Sequence, residues 1–588
     1  MKSRYLLYIL TVAALIGCSR KNDEIGVRIS LDYNTHYTMD ESPVEGYDFI
    51  EKNLYYPRIK RLSDGALLLS FMNDHFGWDL YTRRSEDNGK TWSDATLIAQ
   101  KYPAESSVGE DMMVFVNPDF IELQDGRIML AYQWRYKNGY NDIPNTNVNC
   151  GIGVVFSSDK GRTWTEHRSV YRGRCWEPAM LQLPSGEIQM YITSSQNVVN
   201  GMSCPRTVVI RSFDGGETWQ GKEECDINDN EIISYTIDER FGYDGMPSAV
   251  ILDDGSIAMT IEVWSGKYVV DQTPVVVKST AKDNWHFDTE KILNEGGPDY
   301  PMKKQVNKDL VAYGPYISRL PSGEVLVIAS GQYKGDHQNW LMVGDNNADN
   351  FSHATAGFNG YWGSVDYVGD DKVIITGTEQ YRDAEKSKRG RIHVMTGRVN
   401  RAKEIHKDKT ALTAISEFNR ESNSSWFLGR TLPTSVFYDF GYTSEHFIIN
   451  THLFTEKITV FTVENSDAPV TMIGRGDDIY KVAVCASGRY EVSRLENCSW
   501  HIIHRADDAV IDVCGTINDD SDSDLGYAAQ VSVPWELIGG RPSSGEKIRI
   551  HTARWHKSLS KEKHMRVWEE LQGEDSDNVS TWLWITLR

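Results

Sequence analysis

Two glutamates carry the first hint of chemistry in this chain: Glu177, between Trp176 and Pro178 in the run CWEPAM, and Glu262, in the run MTIEVW. A carboxyl beside an indole and a proline ring is poorly hydrated, which disfavours its charged form, raises its pKa and suits Glu177 to donating a proton. Glu262 would then be the ionised partner. One carboxylic acid and one carboxylate make the pair that cleaves a glycosidic bond: the acid protonates the leaving oxygen while the carboxylate attacks the sugar. Taken singly, each glutamate is better explained by bonds to backbone amides or by solvent. What singles them out is that both fall at the same place in neighbouring copies of a repeat.

The repeat is marked by a tight turn, seen as LSDG (62–65), LQDG (123–126), LPSG (183–186), LDDG (252–255), LPSG (320–323) and VGDD (368–371), each flanked by alternating apolar residues. Six units at intervals of roughly 50 to 70 residues have the spacing of propeller blades rather than solenoid turns. A second element, S-x-D-x-G-x-T-W, occurs at 85–92, 157–164 and 212–219, with a worn copy from Ser279 to Trp285. It reads as a hairpin clasp, in which Asp satisfies turn amides and Trp packs between sheets, so it speaks for fold rather than catalysis. The expected architecture is all-β: a six-bladed β-propeller over residues 45–400, followed by a β-sandwich. In a propeller, the first strand of each blade leaves one face along the central channel and the second returns to it. Arg58, Asp74, Trp176, Glu177, Met246, Glu262 and Tyr361 are therefore expected at one mouth, and the clasps at the opposite face. Arg58, Asp74, Trp176 and Met246 are the expected substrate-binding side chains around the two glutamates.

The clasp is the Asp box, or BNR repeat, and with it the chain resembles the sialidase-like six-bladed propellers. Four segments, YYPRIKRLSDGALL, WEPAMLQLPSGEIQMY, GMPSAVILDDGSIAMTIE and GYWGSVDYVGDDKVIITG, resemble more particularly glycoside hydrolase family 93, the exo-α-L-arabinanases. That resemblance implies a retaining exo-hydrolase of an α-L-arabinan-type glycan without a cofactor, with Glu177 as acid/base, Glu262 as nucleophile and Tyr361 supplying a hydroxyl that supports the nucleophile. An exo-α-sialidase is the alternative within the same fold. Such an enzyme grips a carboxylate with three arginines; Arg58 could be the first, but no arginine lies between Leu320 and Tyr361. A non-catalytic glycan-binding lipoprotein is the alternative from another class, and it has no need of paired carboxylates.

The chain opens with MKSRYLLYILTVAALIGCSR, which looks like a bacterial lipoprotein signal: a basic start, a short apolar core and a Leu15-Ile16-Gly17-Cys18 lipobox. This implies removal of residues 1–17, acylation of Cys18 and a lipid-anchored place in the cell envelope, with the outer membrane expected. Residues 19–44 then read as a tether leading to the first blade. A net charge of −21 argues against nucleic acid as a partner, because phosphate binding needs a basic footprint, and favours a neutral sugar. No His or Cys spacing suggests a metal. Of eight cysteines, Cys204 and Cys225 flank the Asp214-Gly215 hairpin symmetrically and are a candidate disulfide. Beyond a charged linker at 400–410, residues 411–588 resemble family 9 carbohydrate-binding modules through Gly526-Tyr527, Val533-Pro534-Trp535 and Gly545 to Arg554, which implies a β-sandwich that holds polysaccharide. Trp500, Trp555 and Trp582 are its candidate stacking rings, though a sandwich Trp is more often core. The Asp519 to Asp524 run reads as a solvated turn or a calcium loop; it lacks the glycine and distal glutamate of an EF-hand.

Overall fold

Second strands of the repeat units, such as Leu67–Asn73 (LLLSFMN) and Ile188–Ser194 (IQMYITS), are rich in apolar residues and buried at every position, whereas fourth strands such as Thr96–Ala99 are only half-buried. A strand covered on both faces gains by being apolar at every position, so these strands mark the interior of stacked sheets. In the computed structural model, which describes residues 25–39, 53–74, 78–199, 201–237, 241–265, 269–295, 303–407, 411–421, 424–429, 434–519, 521–557 and 566–588, these segments form six sheets, each built on antiparallel strands in chain order. The inner strands are Leu54–Arg61, Gly109–Glu122, Cys175–Gln182, Gly242–Ile251, Leu310–Arg319 and Tyr361–Gly369. Each touches the next and the sixth returns to the first, which closes a six-bladed propeller.

The recurring turn joins each inner strand to the second. In the first blade Leu62 and Ala66 pair across it, with Gly65 at φ 89°, a backbone region that a side chain would strain. The Asp boxes sit at this end. Their serines and aspartates clasp the hairpin, Gly89 N donating to Ser85 Oγ (2.9 Å) and Thr91 N to Asp87 Oδ1 (2.8 Å), with the same bonds at Ser157/Asp159 and Ser212/Asp214. Arg127 Nη2 from the second turn donates to Gly215 O in the third box (3.1 Å), which fixes boxes and turns on one face. In the worn fourth box Trp285 N donates to Ser279 Oγ (2.7 Å) and the Thr280 hydroxyl to Asp283 Oδ2 (2.7 Å).

Two expectations about the ends of the propeller need correction. The stretch assigned as a tether, 19–44, contains Val27–Thr38, the outermost strand of the sixth blade, paired with Lys388–Arg401 in the register Val27↔Arg401. The expected linker is not free chain either: Lys403–Ile405 pairs in parallel with Leu583–Leu587 of the C-terminal domain. That domain is a β-sandwich of two sheets around an apolar core that includes Trp426, Tyr438, Val531 and Trp535. It docks on blade six and its neighbour. Asn400 exchanges two hydrogen bonds with the Phe427 backbone (3.1 and 2.6 Å), His353 Nδ1 meets Gly573 O (2.6 Å), and Arg28 lies 3.8 Å from Glu574, both side chains fully buried.

The disulfide expected between Cys204 and Cys225 is not formed. Cys225 leaves blade three and pairs beside Tyr171 on the edge of blade two, its thiol 3.4 Å from Val170 O, so the symmetric hairpin assumed for the pair does not exist. Trp582 is 0% exposed and stacks on His551, which removes it from the sugar-stacking candidates; Trp500 lies under Lys481 and Trp555 against Trp568, both half-buried. Asp524 spends its carboxylate on the amides of Ile458 and Thr516, as a turn-fastening residue does. Cys18 and the lipobox lie outside the described residues, among which no helix is long and apolar enough to cross a membrane.

Candidate active site

The mouth opposite the Asp boxes is built from one kink made six times. Every inner strand slips register with its neighbour at this end, between Tyr55 and Arg58, Val116 and Asp119, Cys175 and Pro178, Gly245 and Ser248, Tyr313 and Tyr316, and Tyr361 and Ser364; the sixth slips again between Tyr367 and Gly369. Pro57, Pro118, Pro178, Pro247 and Pro315 mark the place in five blades. Proline has no N–H for the ladder, and a bulge is where a strand tolerates it. The residue ahead of it turns left-handed at Tyr56 (φ 56°), Asn117 (54°) and Met246 (52°).

In four blades the bulge detaches an amide from the ladder, and the second strand of the preceding blade satisfies it with a side chain. Tyr56 N donates to Thr378 Oγ1 (3.1 Å), Asn117 N to Met72 Sδ (3.4 Å), Met246 N to Thr193 Oγ1 (2.9 Å) and Gly314 N to Glu262 Oε2 (2.6 Å). A hydroxyl suffices for this bond in two blades; in the fourth the acceptor is a buried carboxylate. Glu262 also accepts the Tyr243 hydroxyl and has Gln272 Nε2 at 3.5 Å. Burial pushes its pKa up to about 7, with the Gly314 N–H and the Tyr243 hydroxyl acting against the rise.

Glu177 occupies the bulge of blade three. It is 9% exposed, and its Oε2 has no hydrogen-bond partner among the described residues. Burial first, and the charge of Glu262 second, push it up to about 8, opposed by a hydrogen bond from Thr193 and by the Arg58 guanidinium. The two carboxyls therefore share one electrostatic environment and titrate as a coupled pair, both pushed up by burial.

The other expected residues divide. Arg58 is 3% exposed; its Nη1 donates to the carbonyls of Pro57 (3.0 Å) and Trp362 (2.8 Å), and the Tyr56 ring covers its guanidinium at 3.9 Å. It closes the seam between blades one and six beneath the mouth. Asp74 sits on the rim with φ 64°, holding Asn53 through its amide (2.7 Å) and carboxylate (3.1 Å). Met246 is buried in the channel floor with Tyr56. Trp176 packs edge-on to Tyr140 (5.2 Å) beneath Arg135.

Tyr361 stacks on Tyr313 (5.6 Å) and is near His337 (6.0 Å); its hydroxyl bonds Tyr313. The hydroxyl that meets Glu262 belongs to Tyr243, which the sequence reading missed. Its ring lies over Gly245, where a Cβ would come within 2.7 Å of it. The signal was there in Y-x-G-M-P, but only the missing side chain at 245 makes it legible. Among the described residues no group of three or more His, Cys, Asp or Glu side chains could hold a metal ion.

Residues 40–309, the first four blades, match the model of the BNR repeat-like domain. Similar solved structures include a protein of unknown function from Dyadobacter fermentans (14% identity, 64% of this chain and 100% of that one, TM-score 0.45). Others are the NanB sialidase of Streptococcus pneumoniae (13%, 61% and 70%, TM-score 0.42) and an endo-arabinase of Bacteroides thetaiotaomicron (14%, 50% and 94%, TM-score 0.33). No curated protein matches the chain.

Proposed function

We propose that the chain is a retaining exo-glycoside hydrolase of a neutral glycan, α-L-arabinan-type first, with Glu177 as acid/base and Glu262 as nucleophile. The observation that carries this reading is the departure from the repeat. Blade four puts a carboxylate where blades three and six use threonine, and blade three sets a second carboxyl in its field, pushed up to about 8. A hydroxyl would fasten the bulge as well, so the charge serves something other than the fold.

In the first step Glu177 gives its proton to the glycosidic oxygen while Glu262 attacks the anomeric carbon. In the second, Glu177, now a base, takes a proton from the water that releases the sugar. Tyr243 and the Gly314 amide hold Glu262 ionised and aimed. The lack of any arginine between Leu320 and Tyr361 supports a neutral sugar over sialic acid, because a three-arginine clamp on a carboxylate cannot be completed there. Anchoring through Cys18 in the cell envelope, and polysaccharide binding by the sandwich, belong to the same proposal.

The test uses 4-nitrophenyl α-L-arabinofuranoside and linear arabinan. Glu262→Ala should abolish turnover, and azide should restore it with an inverted glycosyl azide. Glu177→Ala should spare the activated aryl glycoside, and azide should then give a retained product. Full activity in either variant would remove that residue from the mechanism.

A further inference from the structure

Two residues before Glu177, Cys175 meets a second thiol: Cys150 Sγ and Cys175 Sγ are 3.8 Å apart, both fully buried. Cys150 begins the third strand of blade two, Cys150–Ser157, and Cys175 begins the inner strand of blade three, so the pair bridges the seam between the blades. Gln133 Nε2 reaches Cys150 Sγ at 3.3 Å and also bonds the Cys175 carbonyl, which holds both residues on one packed seam. Cys175 is moreover the last residue in register before the slip that carries Glu177, the pairing resuming at Pro178. We propose that Cys150 and Cys175 form a disulfide when the chain folds in an oxidising compartment, and that this bond fixes the base of the Glu177 bulge.

The contact asks for little. A disulfide needs its sulfurs about 2.05 Å apart, so side-chain rotation and a small approach of the two strands must close less than 2 Å. Cys204 and Cys225 have no such contact, and Cys498 and Cys514 are exposed in the sandwich. The oxidant is a small-molecule or protein disulfide. The thiolate of one cysteine attacks it and expels a thiolate, giving a mixed disulfide; the thiolate of the second cysteine attacks the sulfur of the first and expels the other half. The two protons released by the cysteines go to the two departing thiolates, and the oxidant leaves as two thiols. Because both sulfurs are sealed in the folded seam, the exchange belongs to folding, before blades two and three close.

The experiment reads masses and melting rather than turnover, so it stands apart from the hydrolase reading. Residues 19–588 are exported to a bacterial periplasm, denatured in N-ethylmaleimide without reductant, digested and analysed by mass spectrometry. The expected result is a crosslinked pair of peptides containing Cys150 and Cys175, with the other cysteines alkylated. Unreduced protein should melt about 3–6 °C above reduced protein, the size expected for a loop of this length, and the difference should vanish in a Cys150→Ala/Cys175→Ala double variant. Should the double variant fail to fold, the crosslink in the parent decides. Quantitative alkylation of both cysteines, also after refolding in oxidised and reduced glutathione, would overturn the proposal, as would a crosslink joining either to another cysteine.

Discussion

Glu177→Gln should make the protein more stable, and increasingly so as the pH rises. The neutral amide keeps the shape of the protonated acid but cannot charge. In the parent, burial and the neighbouring Glu262 push Glu177 from 4.5 up to about 8. The folded state therefore keeps a proton that the unfolded chain releases near 4.5. With the folded pKa above the unfolded one, the contribution to stability is fully present below about pH 4.5 and is lost as the pH climbs toward 8. At about 1.36 kcal/mol per unit, the loss is roughly 1 kcal/mol at pH 5, roughly 3 at pH 7 and roughly 4–5 above pH 8. The unpartnered Oε2 becomes, in one rotamer, an unpartnered amide, which adds an offset independent of pH. Melting curves of parent and variant at pH 5, 7 and 9 isolate the term that matters, the growth of the difference. For a domain of this size it should widen by a few degrees between pH 5 and 9. A difference that stays flat would mean that Glu177 titrates normally and that its surroundings do not desolvate it.

Three further outcomes follow from the same geometry. The pH profile of kcat/KM should be a narrow bell, rising as Glu262 ionises near 7 and falling as Glu177 loses its proton near 8; a maximum near pH 5 would refute the paired assignment. On an aryl glycoside with a good leaving group, Glu177→Gln should flatten the alkaline limb and leave the acid limb in place. Tyr243→Phe should lower kcat by about tenfold and move the acid limb upward, since it removes a bond to the charged form of Glu262, whereas Tyr361→Phe, whose hydroxyl bonds Tyr313, should leave that limb unmoved.

The blade pattern was legible because it is local. Leu62, Leu123, Leu183, Leu252 and Leu320 announce hairpins whose partners lie within a few residues, and the topology of a propeller then carries Glu177 and Glu262 to the same mouth. What stayed hidden was non-local or negative. Val27–Thr38 alternates like many strands, but its partner ends at Arg401, at the far end of the ring, and no repeat points to it. Arg58 was placed at the mouth by the repeat alone; the left-handed backbone of Tyr56, which lays a ring over the guanidinium, is invisible in the letters. Cys204 and Cys225 seemed opposed only because blade three was taken to keep its outer segment, which it surrenders to blade two.

The strand Val27–Thr38 makes the order of synthesis and the order of assembly run opposite ways. It is made before any of the six inner strands, yet its sheet partner among the described residues, Lys388–Arg401, is made after all of them. Until then blade six lacks an outer strand, its edge offers unpaired backbone groups, and the early strand has no sheet to join. Closing so long a loop carries an entropic penalty that comes due before any contact rewards it, and contacts this distant in sequence fold slowly. The same late stitch also brings Arg28 against Glu574, close to the end of the chain. Ring closure and the docking of the sandwich thus become a single terminal event, and a chain arrested before residue 401 would carry five blades' worth of finished structure with no means of holding its circle shut.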